Sequence, residues 1–326
     1  MRRVSFLILF LVVFCVIFLC SCELMYEPPT QGDVHILVYG NDYAFLSKQN
    51  HLHATLNDAV SVGLALSKLC EKTGRYYDCT YLYGLGTQYD SKIESSNTNY
   101  NQYHDVTDAK IKSVLHKLQS TAKDGDMTFI YFSGHGTDTS VLFSDPDMVS
   151  YGTDVTKKVC LVTRSSKDES KVSLISVREL LDLIEAIPGT KIVFSDFCYS
   201  GAMVESGNVS WSSNEYKDIN PFSFYSVHSE IKEKSSMFCL SASSYFKVSY
   251  EDGPENLNAH GFFTSTLLYG LGYYEDGTIR TGKAVFNKKI TFHGLAQYIE
   301  NDPTLKEHNQ HPMYNGGSSD IILFEF

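Results

Sequence analysis

The sequence is poor in proline, tryptophan and basic residues. Its 326 residues include 8 Pro and 1 Trp, against 22 Tyr and 20 Phe. A chain with 43% apolar and 20% charged residues is typical of a globular protein, so disordered, collagen-like and heptad-repeat classes are excluded. The length allows one large domain or two ordinary ones, and it suffices to bury a core without disulfide bonds.

The shortage of basic residues also limits the partners. The 27 Lys and Arg residues are outnumbered by 38 Asp and Glu residues, which gives a net charge of −11. Because phosphate binding needs a basic surface, we do not expect nucleic acid as a partner. The histidines and cysteines also lack the spacing of zinc ligands.

The N-terminus has the pattern of an export signal. Two arginines precede an uncharged apolar run at 4–19, and Ser21 stands before Cys22. The pattern resembles a bacterial lipoprotein signal, which is cut before a cysteine that then carries lipid. We therefore expect a signal peptide at 1–21, lipidation of Cys22, a short tether at 22–32, and an exported protein anchored to a membrane of the bacterial cell envelope. The alternative is an uncleaved anchor helix, since ~16 apolar residues come close to spanning a bilayer.

Cleavage at this point would change the charge and cysteine balance. It would remove two basic residues and no acidic ones, which leaves 25 basic residues against 38 acidic ones. Five cysteines lie beyond the lipidation site: Cys70, Cys79, Cys160, Cys198 and Cys239. An odd number in an exported protein indicates at least one unpaired thiol, although ordinary buried thiols explain the same number. Cys70 and Cys79 are candidates for a disulfide bond, and the sequence leaves this pairing open.

Apolar runs alternate with helical patterns from residue 33 onward. The apolar runs predict strands at 34–40, 77–83, 127–132, 159–163, 191–195, 237–241 and 320–324. Helix signals begin near Asn57, Thr107, Ser176, Gly261 and Phe292. The alternation predicts an α/β fold whose mostly parallel sheet carries helices on both faces. Residues 84–104 are predicted to form a long polar excursion, and residues 205–235 an exposed linker.

Two of the predicted strands end in residues suited to catalysis. One is followed by Ser-Gly-His135-Gly136, and the other ends in Asp196-Phe-Cys198-Tyr-Ser-Gly. The carboxyl ends of parallel strands meet at one edge of a sheet, so we expect His135 and Cys198 to lie within reach of each other. A histidine can activate a thiol and then protonate a leaving amine. The backbone N–H groups of Gly136 and Cys198 are candidate donors of an oxyanion hole.

These segments resemble the two catalytic blocks of caspase-like cysteine peptidases, especially the metacaspase branch. Further matches are Leu56–Ala59, Leu240–Ser243 and Gly261–Thr264, so the resemblance extends from about residue 33 to the C-terminus. It implies a caspase-like three-layer sandwich formed by a domain at 33–326. It also implies a cysteine endopeptidase that acts through a His135/Cys198 dyad and a thioester acyl-enzyme.

The resemblance implies a substrate preference as well. Metacaspases cleave after Arg or Lys with acidic residues that match Asp58 and Asp196, and a serine at the position of Ser241 helps to line the pocket. Carboxylate pairs suit a guanidinium, which binds carboxylates in bidentate fashion. Asp196 also stands where caspases proper have a glutamine. We therefore expect protein or peptide substrates with a basic P1 residue.

The same preference makes the chain a candidate substrate of itself. Three lysines lie in the exposed linker, at Lys217, Lys232 and Lys234. Many metacaspases also need calcium, and Asp145, Asp147 and Asp154 are candidates for its ligands by composition alone. Because they have no residue-by-residue match in the family, metal ligands are not assigned. Metacaspase-like relatives are usually monomeric, so we expect a monomer.

This sequence departs from the family pattern at two places. Thr55-Leu56 replaces a common Gly-Cys before the first acidic residue, and Tyr199 replaces the histidine that often follows the nucleophile. The first departure bears on the role of Asp58.

Each candidate residue also has a purely structural interpretation. Cys198 has the alternative role of a buried thiol, and Asp58 that of an acidic residue in the first turn of a helix. Asp196 is suited to orient its loop, and Ser241 is an ordinary strand serine. For the whole protein, the alternatives are a non-catalytic interaction module and a Cys/His hydrolase of non-peptide esters or amides. The presence of both His135 and Cys198 disfavours the first, and the acidic pocket disfavours neutral substrates.

Overall fold

The computed structural model describes residues 32–84, 86–138, 159–204, 236–244, 247–251, 253, 259–315 and 320–326. The signal at 1–21, the tether apart from its last residue, the linker at 205–235 and the three aspartates considered for calcium lie outside these ranges. Within them, no helix combines the length and the hydrophobicity that a membrane crossing requires.

The described residues form twelve strands, numbered in chain order. They are β1 Val34–Gly40, β2 Tyr77–Tyr83, β3 Tyr100–Tyr103, β4 Met127–Ser133, β5 Gly136–Asp138, β6 Val159–Arg164, β7 Val172–Ser176, β8 Thr190–Asp196, β9 Met237–Ser241, β10 Lys289–Thr291, β11 Met313–Asn315 and β12 Ile322–Glu325. Seven of them form the central sheet in the order β11-β9-β8-β4-β1-β2-β3. All neighbours in it are parallel except β11 and β9, so the prediction of a mostly parallel sheet is confirmed.

The helices are also numbered in chain order. They are α1 Thr55–Lys72, α2 Asp90–Ser96, α3 Asp108–Thr121, α4 Val177–Glu185, α5 Phe262–Leu271, α6 Phe292–Glu300 and α7 Pro303–Glu307. Short 3-10 turns occupy Lys48–Asn50, Thr87–Tyr89 and Ser200–Met203.

Helices cover both faces of the central sheet. Side chains alternate along β4: Phe129 and Tyr131 pack into a buried cluster with α1, α5 and α6. Ile130 and Phe132 point to the opposite face and pack with α3 and α4. Because both faces are buried, the strands are continuously apolar rather than alternating, which is typical of parallel sheets. The expected three-layer α/β sandwich is therefore confirmed.

Two predicted helix starts are confirmed by their capping hydrogen bonds. Thr107 Oγ1 accepts from Lys110 N at 3.3 Å, and Ser176 Oγ accepts from Glu179 N at 3.1 Å. Such caps satisfy backbone donors that the first turn of a helix leaves unpaired.

The start of α1 differs from the prediction because its cap comes from a distant segment. The helix begins at Thr55, two residues before the predicted Asn57. The carboxylate of Glu251 accepts from His53 N and Ala54 N, both at 3.0 Å. A partner almost two hundred residues away leaves no local sequence signal.

The prediction of a polar excursion at 84–104 was wrong. This segment contains α2 and the edge strand β3, which pairs in parallel with β2. Asn97 anchors the segment, because its amide donates to Ser67 Oγ and Tyr81 Oη, both at 3.0 Å. Buried hydrogen bonds of this kind make a polar segment part of the core.

The structure also decides two points that the sequence left open. The C-terminal strand, predicted at 320–324, is β12 and pairs in antiparallel fashion with β10, outside the central sheet. Cys70 and Cys79, the candidates for a disulfide bond, are both free buried thiols.

Candidate active site

The ends of β4 and β8 lie side by side at the carboxyl edge of the sheet. The two strands pair in register, with Ser133 opposite Asp196, and Gly134 N donates to Asp196 O at 3.3 Å. His135 and Cys198 each follow this pair by two residues. The structure thus brings the two candidate dyad residues to neighbouring strand ends, as the sequence predicted.

Gly136 packs directly against the backbone of Cys198. A Cβ atom at position 136 would lie 1.9 Å from Cys198 O, so only glycine fits. Val162 N donates to His135 O at 2.9 Å, which places 135 and 162 at a hydrogen-bonding position one step beyond the β5/β6 ladder. In an antiparallel ladder the next residue points its N–H away from the partner strand. The Gly136 N–H therefore points away from β6, and its role in an oxyanion hole stays a prediction.

The surroundings of His135 determine which ring nitrogen carries the proton. Nε2 lies 2.9 Å from Asn50 O, and a carbonyl oxygen only accepts hydrogen bonds. Nε2 is therefore protonated, and Nδ1 of the neutral ring is the basic atom. Burial lowers the pKa of His135, and the bond to Asn50 only partly opposes this effect. The imidazole is thus neutral at neutral pH.

Cys198 is half-buried, and its thiol is protonated at rest. Its Sγ lies 4.0 Å from Ser249 O, and among the described residues no hydrogen bond joins it to His135. Burial raises the pKa of Cys198, and the nearby charge of Asp196 raises it further, against the effect of Ser249. The nucleophilic thiolate therefore has to be generated by proton transfer to a base. Tyr199, directly after Cys198, adopts the left-handed conformation with φ 63° and precedes the 3-10 turn at Ser200–Met203.

The two candidate substrate-binding acids also lie together. Asp58, near the start of α1, is 1% exposed, and Asp196, at the end of β8, is 5% exposed. Gly261 lies between them, because a Cβ there would be 2.3 Å from Asp196 Oδ2 and 3.3 Å from Asp58 Oδ2. The structure therefore unites a pair of carboxylates that are 138 positions apart in the numbering.

Hydrogen bonds from β4, from α5 and from the segment just before α5 satisfy these buried acids. Asp58 accepts from His260 Nδ1 at 2.7 Å and from Ser133 Oγ at 3.1 Å. Asp196 accepts from Thr264 Oγ1 at 2.6 Å. Burial raises the pKa of Asp196 to about 8, and the charge of Asp58 adds to the increase. At neutral pH Asp196 is therefore largely protonated, which avoids two like charges in one buried site.

Ser241 lies at the end of β9, opposite Ser195 of β8. Its hydroxyl lies 3.1 Å from Ser243 O and 3.3 Å from Met313 O, and its single proton is shared between these two acceptors. The side chain is fully buried, so the structure places it near the site but engages its hydroxyl with the backbone.

Sequence reasoning missed His260, the residue that orients Asp58. Its Nε2 accepts from Asn57 Nδ2 at 3.3 Å, which leaves Nδ1 as the donor to Asp58. The available signal was its place directly before Gly261, a segment already noted for its resemblance. Within the described ranges, no group of three or more His, Cys, Asp or Glu side chains is arranged to hold a metal ion.

The chain is similar to known proteins over most of its length. The sequence model of the caspase domain family matches residues 34–313. Metacaspase-6 of Arabidopsis thaliana is 29% identical over 101 residues, which are 30% of this chain and 24% of that protein. Metacaspase-7 of the same organism is 30% identical over 105 residues, which are 32% of this chain and 23% of that protein. The chain thus spans about a quarter of the curated relatives it matches.

One solved structure also superposes on the fold. The protein GSU0716 from Geobacter sulfurreducens has a TM-score of 0.48 and 16% sequence identity. The superposition covers 87% of this chain and 93% of that one.

The raised pKa of the thiol predicts how Cys198 reacts with an alkylating reagent. Because a thiolate is the reactive form, we expect the rate of carboxamidomethylation by iodoacetamide to rise with a midpoint above about 8.5, the ordinary thiol value. Mass spectrometry of the peptide that contains Cys198 measures the rate, with Cys198→Ala as the blank. A rate that is already constant below pH 7 would show a preformed thiolate and contradict this expectation.

Proposed function

The chain belongs to the caspase domain family, and we propose that it is a cysteine endopeptidase with His135 and Cys198 as its catalytic dyad. The in-register pairing of β4 and β8 is the observation that supports this proposal most directly. It aligns a histidine with a basic Nδ1 and a half-buried thiol at neighbouring strand ends, next to a glycine N–H that faces away from its own ladder.

In the proposed reaction, the thiol proton moves to Nδ1 of His135 and the sulfur attacks the peptide carbonyl. The C–S bond forms while the carbonyl oxygen becomes an oxyanion, for which Gly136 and Cys198 N–H are the proposed donors. The imidazolium then protonates the leaving amine as the C–N bond breaks, which leaves a thioester on Cys198. Water attacks the thioester and gives a proton to His135, the C–S bond breaks as the carboxylic acid leaves, and the imidazolium returns its proton to the sulfur.

We propose that the Asp58/Asp196 pair selects a basic P1 side chain. Burial, together with repulsion by Asp58, keeps Asp196 protonated. A guanidinium or ammonium group beside the pair offsets both effects, so binding of the cation and ionisation of Asp196 support each other. His260, Gly261 and Thr264 already bind the carboxylates in the structure. The cation therefore has to approach beside the start of α5, the element that covers both acids.

The main test compares fluorogenic peptides that end in Arg, Lys or Asp, with and without calcium. We expect the wild type to cleave after Arg and Lys and not after Asp, and Cys198→Ala to lose cleavage entirely, because it lacks the nucleophile. Cys239→Ala is the matched control, since it removes a buried free thiol from the neighbouring strand β9 and leaves the dyad intact. Cleavage after Asp, or no cleavage under any condition, would overturn the proposal.

Substitution of Asp196→Asn tests the specificity pocket. We expect kcat/KM for Arg peptides to fall by about 30-fold or more, because one partner of a buried charge pair is lost. Because the pKa of Asp196 is raised from 3.8 to about 8 in the folded protein, the unfolded chain ionises first, and stability falls as the pH rises from about 4 to about 8. This loss is complete above about pH 8, and Asn, which does not titrate, avoids it. The melting temperature at pH 9 should therefore not fall.

Asp276→Asn, at an exposed acid outside the site, is the control for this test and should retain the wild-type kcat/KM. An Asp196→Asn variant that still prefers Arg as strongly as the wild type would exclude this residue from the pocket.

We also propose that the protein is an exported lipoprotein and that it cleaves its own linker at 205–235. The signal pattern before Cys22 and the linker lysines support these two ideas. Intact-mass analysis of the full chain expressed in bacteria tests both. We expect a lipid-modified mass that Cys22→Ser abolishes, and linker fragments that are absent from Cys198→Ala. Identical masses for wild type and Cys22→Ser, or identical fragments from wild type and Cys198→Ala, would contradict the respective idea.

A further inference from the structure

A side chain interrupts the strand pairing at the catalytic histidine. His135 lies opposite Val162, one position beyond the pair formed by Gly136 and Leu161 in the β5/β6 ladder. Such a pair normally exchanges two backbone hydrogen bonds. One of them is present, from Val162 N to His135 O at 2.9 Å.

The second bond runs through Tyr43. His135 N donates to Tyr43 Oη at 2.7 Å, and the Tyr43 hydroxyl donates to Val162 O, also at 2.7 Å. The hydroxyl thus occupies the place of a direct bond and satisfies both backbone groups. Since a direct N–H···O bond is about 2.9 Å long, two bonds in series hold the chains wider apart at this point.

Tyr43 is itself held firmly. Its side chain is fully buried, and its ring centroid lies 4.5 Å from that of the His135 imidazole. Its backbone has φ 56°, a conformation that residues other than glycine seldom adopt. Its N–H donates to Asn41 Oδ1 at 3.1 Å. A Cβ at Gly134 would lie 2.8 Å from the hydroxyl, so the glycine leaves room for it.

We propose that Tyr43 is a positioning residue for His135. The Tyr43 hydroxyl fixes the backbone at residue 135, and the Tyr43 ring packs against the imidazole. The inference rests on the proposed function, in which His135 is the base. With both its backbone N–H and its ring face held by one side chain, the imidazole is directed towards Asn50 O through Nε2. Its Nδ1 is thereby kept available for the thiol.

Tyr43→Phe tests the inserted hydroxyl without removal of the ring. His135 N–H and Val162 O then lose their shared partner, and a direct bond between them requires the backbone at residue 135 to move. A displacement on the order of 1 Å lowers the rate of a positioned reaction by about 100-fold. We expect kcat for the best basic peptide to fall by about 10-fold to 100-fold with KM within about twofold of the wild type.

Tyr39→Phe is the matched control. Tyr39 is fully buried as well, and its hydroxyl donates to a backbone carbonyl, Val106 O, at 3.3 Å. The Tyr39→Phe variant therefore loses a buried hydroxyl and its hydrogen bond to a backbone carbonyl, as Tyr43→Phe does, but it loses no contact to His135. We expect its kcat to stay within about threefold of the wild type. Equal losses in the two variants, or a wild-type kcat in Tyr43→Phe, would overturn the inference.

A second measurement does not depend on peptide cleavage. NMR titration of the labelled His135 ring reports its pKa, which burial lowers in the wild type. We expect Tyr43→Phe to lower this pKa further, because a displaced ring loses the bond to Asn50 O that raises it, and Tyr39→Phe to leave it unchanged. An unchanged value in Tyr43→Phe would count against the inference. If the wild type cleaves no peptide, the proposed function fails, and the titration still decides the role of Tyr43.

Gly134→Ala covers the case in which Tyr43→Phe does not fold. The added methyl group lies 2.8 Å from the Tyr43 hydroxyl and has to displace it, and the three atoms nearest to the methyl group all belong to Tyr43. We expect the same loss of kcat and the same change in the pKa of His135. A folded Gly134→Ala variant with wild-type kcat and titration would overturn the inference.

Discussion

The site depends on the register between β4 and β8. Ser133 lies opposite Asp196, so the two strands end side by side at the same edge of the sheet. The candidate residues His135 and Cys198 each follow two positions after this pair. A slip of one residue would turn every side chain of one strand to the opposite face. The buried apolar residues of β4, Phe129 and Tyr131 on one face and Ile130 and Phe132 on the other, oppose such a slip, so the packing that stabilises the sheet also positions the candidate dyad.

The two buried acids place a second demand on the fold. Carboxylates that are only 1% and 5% exposed are costly to ionise unless hydrogen-bond donors or cations surround them. The start of α5 supplies these donors through His260, Gly261 and Thr264, and β4 supplies Ser133. The raised pKa of Asp196 indicates that this compensation is incomplete. A buried acid pair that is still short of positive charge fits a pocket for a basic side chain.

Loops distant in sequence complete the site around the candidate dyad, His135 and Cys198. Tyr43 and Asn50, from the segment after β1, hold the backbone and the ring of His135. Ser249, from the segment after β9, lies beside the thiol of Cys198. Glu251 joins these two segments, because its carboxylate accepts hydrogen bonds from His53 N and Ala54 N. The histidine and the cysteine are therefore supported by segments that are bonded to each other.

The sequence by itself determined the alternation of strands and helices, the mostly parallel sheet, and the approach of His135 to Cys198. Apolar runs and capping residues are local signals, and the carboxyl ends of parallel strands meet at one edge. Only the tertiary structure decided the roles of Tyr43, His260 and Glu251, and the ordered edge formed by α2 and β3. Their hydrogen-bond partners lie far away in the chain, at residues such as His135, Asp58 and Ala54. A buried tyrosine has the same local pattern whether it fills the core, as Tyr39 does, or holds a histidine, as Tyr43 does, because only the position of the partner distinguishes the two roles.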